Sequence, residues 1–169
     1  MLKRCGEGKK LAFSFDVPGY PTFCLANRQI SDFIYDYTAQ FWENYRNVPK
    51  IATIQSFETH QVSMSTSILF DPYFESYLKG MLDKGMLRNS ILFVTSDHGI
   101  HYGNRFVKYT EEGRTEHKAP LLMMVVPKTI TGRFPELKDA LTANQDRVIT
   151  PFHVYATMKH LLTYPAKYQ

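Results

Sequence analysis

The stretch Ile91-Leu-Phe-Val-Thr-Ser-Asp97-His98-Gly99 constrains this chain more than any other. An apolar run without polar alternation reads as a strand covered on both faces. This one stops abruptly at a carboxylate, an imidazole and a glycine. In open α/β sheets, ligands bind at the carboxyl ends of the strands. Carboxylate oxygen beside imidazole nitrogen suits zinc or manganese better than calcium or magnesium. Successive strand residues point to opposite faces. Asp97 and His98 can therefore share one ion only where the strand has ended and the backbone bends, which Gly99 permits. Taken alone, a bare Asp-His-Gly reads sooner as an aspartate turn cap beside a solvated histidine, so the surrounding chain has to supply the context.

That context alternates helices and strands. Ile30, Phe33, Ile34, Tyr37, Phe41 and Tyr45 recur at three- and four-residue steps, which predicts an amphipathic helix ending before Pro49. Lys50–Phe57 reads as a strand that leads into the polar Glu58-Thr59-His60. Asp71-Pro72 offers a side-chain cap and an N1 proline for a second helix, with Tyr73, Phe74 and Tyr77 on its core face and a stop near Gly85. Ser90–Thr95 is the next strand. A polar loop over about 99–118 follows, then a strand between Pro120 and Pro127. Thr150-Pro151 opens a last helix. The order predicts an α/β layered sandwich around a mainly parallel sheet. Residues 1–27, broken by Gly6, Gly8, Pro18, Gly19 and Pro21, read as an irregular opening segment of one partial domain spanning 1–169.

Composition excludes several classes. The chain has 169 residues, enough for one domain with a core, and 44% hydrophobic with 14% aromatic content argues against disorder. Its 20 basic residues are scattered and the net charge is only +4, which argues against nucleic-acid binding and is compatible with an anionic small substrate. No apolar run approaches the ~18 residues that span a membrane. Cys5 and Cys24 read equally as a loop-closing disulfide or as two unrelated thiols.

Further histidines gather around the same predicted sheet edge. His60 follows the Lys50–Phe57 strand and is a candidate substrate contact. His117 stands at the end of the loop that leaves Asp97-His98, just before Pro120, where it could complete a metal or anion pocket. His101 reads as solvent-exposed, and His153 and His160 as helix-surface or core-edge residues.

Phe93-Val-Thr-Ser-Asp97-His98-Gly99 together with His117-Lys-Ala-Pro120-Leu-Leu-Met-Met-Val-Val-Pro127 resembles the carboxyl-terminal half of a sulfatase-like member of the alkaline phosphatase superfamily. Gln55-Ser-Phe-Glu-Thr-His60, the helix over 73–87 and Asn144-Gln-Asp-Arg-Val-Ile-Thr-Pro-Phe-His-Val-Tyr-Ala-Thr157 extend the likeness to a family of sulfatase-like animal proteins, from about Cys24 to Leu162. The Thr-Ser-Asp-His-Gly element is moderately specific, and its combination with the downstream His-x-x-Pro considerably more so.

The resemblance implies an alkaline-phosphatase-like fold, here incomplete. It implies a divalent ion held by Asp97 and His98, zinc or manganese ahead of calcium, and His117 and His60 facing the anionic part of a sulfate or phosphate ester. Such an ion lowers the pKa of a bound hydroxyl nucleophile and neutralises charge on the transferred group. The family's nucleophile and first metal carboxylate belong to an amino-terminal portion. Cys5 precedes Gly6-Glu7 and Cys24 precedes Leu25-Ala26-Asn27, so no Cys-x-Pro-Ser-Arg or Cys-x-Ala-Ser-Arg signature occurs, and no residue is assigned as catalytic. His153 stands where relatives often carry Asp.

The expectation is thus the carboxyl-terminal part of a metal-dependent hydrolase or phosphotransferase, inactive without the missing half. Its expected location, implied by the resemblance, is extracellular or in the secretory-pathway lumen. The alternative is a non-catalytic pseudoenzyme or extracellular interaction module of the same fold.

Overall fold

The computed structural model describes residues 24–25, 28–60, 67–99 and 110–166. The chain divides into two compact units, Met1–Pro127 and Lys128–Gln169. In the first, β1 (Cys24–Leu25) pairs antiparallel with β2 (Arg28–Gln29), and α1 (Ile30–Asn44) follows at once. The helix α2 (Ser67–Asp83) leads to β3 (Leu92–Thr95), then α3 (Glu111–Lys118), then β4 (Leu122–Val125). The second unit holds α4 (Lys128–Arg133), α5 (Pro135–Asn144) and α6 (Pro151–Leu161). His101, Cys5 and most of the opening segment 1–27 lie outside the described residues.

The helix α1 does not bury the stripe its periodicity marks. Phe33, Ile34 and Tyr37 are exposed, Tyr37 by 73%, while Ser31, Tyr35 and Thr38 are buried. Aromatic geometry selects that face. Tyr35 stacks on Tyr77 of α2 with ring centroids 4.3 Å apart, and Phe70 and Phe74 flank it at 6.4 and 6.3 Å. Such ring pairs add to the gain from area alone. The polar members of the face are satisfied, since the Thr38 hydroxyl donates to the Ile34 carbonyl at 2.8 Å. At the far end the Trp42 indole N–H donates to the Met86 carbonyl at 3.2 Å, tying α1 to the turn after α2.

The helix α2 begins a turn earlier than Asp71-Pro72 suggests, so Pro72 lies inside it and cannot donate to the Ile68 carbonyl. Its end falls as expected. Gly85, at φ 68°, donates to the Leu82 carbonyl and Met86 donates to the Met81 carbonyl, both at 2.9 Å. This is a Schellman ending, and the left-handed residue is the glycine.

The strands β3 and β4 pair antiparallel in the register Leu92 with Val125 through Thr95 with Leu122. The stretch expected as a strand before His60 has no ladder partner among the described residues and stays irregular over 51–57. Both described sheets are two-stranded, and their pairing is antiparallel.

Candidate functional site

Asp97, His98 and Gly99 follow β3 directly, and the sheet pairing runs one residue past the strand to hold them. Ser96 donates its backbone N–H to the Leu121 carbonyl at 3.0 Å, and its hydroxyl oxygen accepts the Leu121 N–H at 2.8 Å. The chain then turns, and Gly99 meets the end of α3, its N–H donating to the His117 carbonyl at 3.1 Å. A side chain at position 99 would not fit there. Its Cβ would overlap the Glu116 carbonyl and lie 2.8 Å from the His117 Cα. The glycine is required by close backbone approach rather than by an unusual φ.

His117 reaches this place on a helix where a polar loop is the expectation. The Thr110 hydroxyl accepts the Gly113 N–H at 3.0 Å and caps the start of α3. Glu111 and Glu112 fill the first turn, His117 and Lys118 the last, each complementing the helix dipole. Those residues are the signal in the sequence that could have disclosed the helix.

The side chains converge on one atom. The Gly99 carbonyl oxygen lies 2.6 Å from His98 Nδ1 and 3.2 Å from His117 Nδ1, and the two rings meet edge to face at 5.7 Å. A carbonyl oxygen can only accept, so Nδ1 carries the proton in both contacts. On His98 the other nitrogen, Nε2, lies 3.6 Å from Asp97 Oδ2. The second Asp97 oxygen accepts the His98 backbone N–H at 2.9 Å. That backbone hydrogen bond is the main reason the Asp97 carboxyl titrates below its ordinary value, with the charges of His98 and His60 adding to it. The structure brings Asp97, His98 and His117 together, and the His60 charge acts on the same carboxylate.

Two atoms bound to a tetrahedral ion at about 2.0–2.2 Å sit roughly 3.4 Å apart. The Asp97 Oδ2 to His98 Nε2 separation of 3.6 Å fits that donor pair. A ligating histidine also commonly donates its other N–H to a backbone carbonyl, as His98 does to Gly99. The Asp97 side chain is 86% exposed, so an ion from solvent can reach it. Among the described residues, no group of three or more histidine, cysteine or acidic side chains is arranged to hold an ion.

The residue sequence reasoning missed is Glu58. Its carboxylate sits at the start of α1, accepting from Ser31, and so fixes the segment that carries His60.

With this geometry in place, comparison with known proteins shows the family. Residues 11–167 match the family described as Protein of unknown function (DUF229), a sulfatase-like family, and the chain belongs to it. No curated protein and no solved structure matches. Among the described residues, no helix is long and apolar enough to cross a membrane.

Proposed function

We propose that Asp97 and His98 are two ligands of a divalent cation, zinc or manganese ahead of calcium, in a hydrolase or phosphotransferase domain acting on a sulfate or phosphate ester. One observation supports this most. With Nδ1 donating to Gly99, His98 turns Nε2 toward a carboxylate oxygen 3.6 Å away. In the neutral ring that nitrogen is an acceptor, and two acceptors at this separation form a donor pair that a cation between them, a metal ion or a proton on the ring, would join. Membership of a sulfatase-like family favours the metal.

In this reading Asp97 and His98 hold the ion, and His117 and His60 meet the anionic part of the ester. The ion, when bound, acidifies a hydroxyl nucleophile and offsets charge on the transferred group. Imidazolium N–H groups stabilise the negative charge that builds up as the ester bond breaks. The domain in this reading is alkaline-phosphatase-like, layered around a mainly parallel sheet, and its nucleophile is a residue other than Asp97, His98, His117 and His60.

Calorimetric titration with Zn²⁺ and Mn²⁺ tests this reading. The wild-type chain binds one ion and Asp97→Ala loses at least tenfold in affinity. Equal binding by the two chains would exclude Asp97 as a ligand.

A further inference from the structure

We propose that Gly99 is the positioning residue of this site: its one carbonyl oxygen fixes both His98 and His117 with Nε2 as the working nitrogen. The proposed metal pair involves one of these histidines, whereas this arrangement governs two, from a residue that contributes no side chain.

The carbonyl has two lone pairs and takes two N–H donors, His98 Nδ1 at 2.6 Å and His117 Nδ1 at 3.2 Å. The oxygen is held where both rings can reach it. Gly99 N–H is bonded to the His117 carbonyl at 3.1 Å, and a Cβ at position 99 would drive the Glu116–His117 backbone away. The same glycine therefore brings α3 against the strand end and supplies the acceptor for the ring that α3 delivers. The two imidazoles come from the residues after β3 and from the end of α3, and meet edge to face at 5.7 Å because they share one partner.

The chemical consequence holds in either protonation state. A neutral ring bonded this way presents a lone pair at Nε2, which can ligate a cation or take a proton from a hydroxyl. A protonated ring keeps its bond to Gly99 and presents an Nε2–H, which donates to an anionic oxygen. Donation from Nδ1 to a carbonyl also raises the basicity of the ligating nitrogen. What the Nε2 atoms meet rests on the proposed cation site, but the tautomers do not.

The second unit supplies an internal contrast. His153 Nδ1 accepts the Thr150 backbone N–H at 3.0 Å, and His160 Nε2 lies 3.0 Å from the Ala166 carbonyl oxygen. A nitrogen that accepts from an N–H carries no proton, and one that faces a carbonyl carries it. Both rings are therefore Nε2–H in the neutral form, opposite to His98 and His117.

Long-range ¹⁵N–¹H correlation spectra of the metal-free 169-residue chain, at a pH where the rings are neutral, read each tautomer separately. The expected spectrum shows Nδ1–H at His98 and His117, and Nε2–H at His153 and His160. An Nε2–H signature at either His98 or His117 would overturn the proposal. Zn²⁺ is then added to the same sample. Movement of the Nε2 resonance of His98 with its Nδ1–H retained supports both readings. Transfer of the proton to Nε2 at His98, with zinc on Nδ1, overturns the positioning role. An unchanged spectrum in the expected tautomers sinks the cation reading and leaves Gly99 in its role.

Discussion

Glu58 caps the start of α1 from 27 residues away, accepting the Ser31 backbone N–H at 3.1 Å and the Ser31 hydroxyl at 2.5 Å. Gln29, the local cap residue, makes no side-chain hydrogen bond to the helix. The remote carboxylate replaces it, supplying acceptors to otherwise unmatched donors and negative charge at the positive end of the dipole. The Ser31 side is 2% exposed, so an unmatched donor there is shielded from water. Glu58→Ala is expected to lower stability by about 1–3 kcal/mol. Ser31→Ala should lose less, and the double variant little more than Glu58→Ala alone. Urea unfolding of the four chains checks this, and additive losses would show that the two residues act separately.

Thr150 and His153 set the start of α6 in a related way. The Thr150 N–H donates to His153 Nδ1, and the Thr150 hydroxyl lies 2.8 Å from the same nitrogen. Pro151 at the first helical position needs no donor partner. Replacing His153 by Ala removes the acceptor and should cost about 0.5–1.5 kcal/mol. His153→Asp, which restores an acceptor and adds favourable charge at the helix start, should recover the loss. Thermal denaturation of both variants distinguishes a cap from a bystander: equal melting temperatures for Ala and Asp would mean no capping role.

Tyr35 and Tyr77 give the first unit an alkaline limit. Burial pushes both phenols above the ordinary tyrosine value of 10.0, with the negative charge of Glu58 adding to the effect on Tyr35 and a hydrogen bond with Thr38 opposing it on Tyr77. A raised folded-state pKa means that the neutral phenol is the form the fold favours. Its stabilisation is full below the unfolded value and is lost as pH rises above about 10 toward the folded values. Unfolding midpoints should therefore fall steeply above pH 10. Tyr35→Phe, which cannot ionise, should flatten that fall. An unchanged slope in the Phe variant would mean that the Tyr35 phenol is not what sets the limit.

What the sequence disclosed depended on whether the signal was local. Thr150-Pro151 and Gly85 mark helix ends through their own backbone chemistry, and α6 and α2 respect them. The apolar run before Asp97 likewise becomes β3, and the contacts of His98 and His117 with Gly99 lie just past its end. The burial of α1 depended on a partner. Its most apolar stripe is the exposed one, because the facing aromatic rings of α2 select Tyr35 instead. The helix α3 carries so many charges that it resembles a loop, although its cap and end charges were readable. Between Pro127 and Thr150, α4 and α5 were not anticipated. Phe134, Tyr164 and Glu136 hold that region through contacts between residues far apart in sequence, including a Tyr164 hydroxyl donating to Glu136 at 2.6 Å.

Asp97 should remain ionised across the neutral range, and its titration has a specific origin. The His98 backbone N–H is the largest cause of its lowered pKa, ahead of the imidazole charges. A depressed value means that the ionised form is favoured in the fold, an effect present above the ordinary value of 3.8 and lost as pH falls through the lower folded value. Carboxyl ¹³C titration should place Asp97 below 3.8 in the wild type. His98→Ala keeps the backbone donor, so most of the lowering should persist. A return to the ordinary value in that variant would assign the effect to the imidazole instead.

The central claim is that Asp97 and His98 hold a cation together, and Mn²⁺ reads it directly because the bound ion broadens nearby resonances. Sub-stoichiometric Mn²⁺ added to the ¹³C,¹⁵N-labelled chain should broaden the Asp97 carboxyl and His98 ring signals first. Asp97→Ala should abolish the His98 broadening at the same concentration. Broadening of His98 that survives Asp97→Ala, or none at either residue in the wild type, would contradict the shared site.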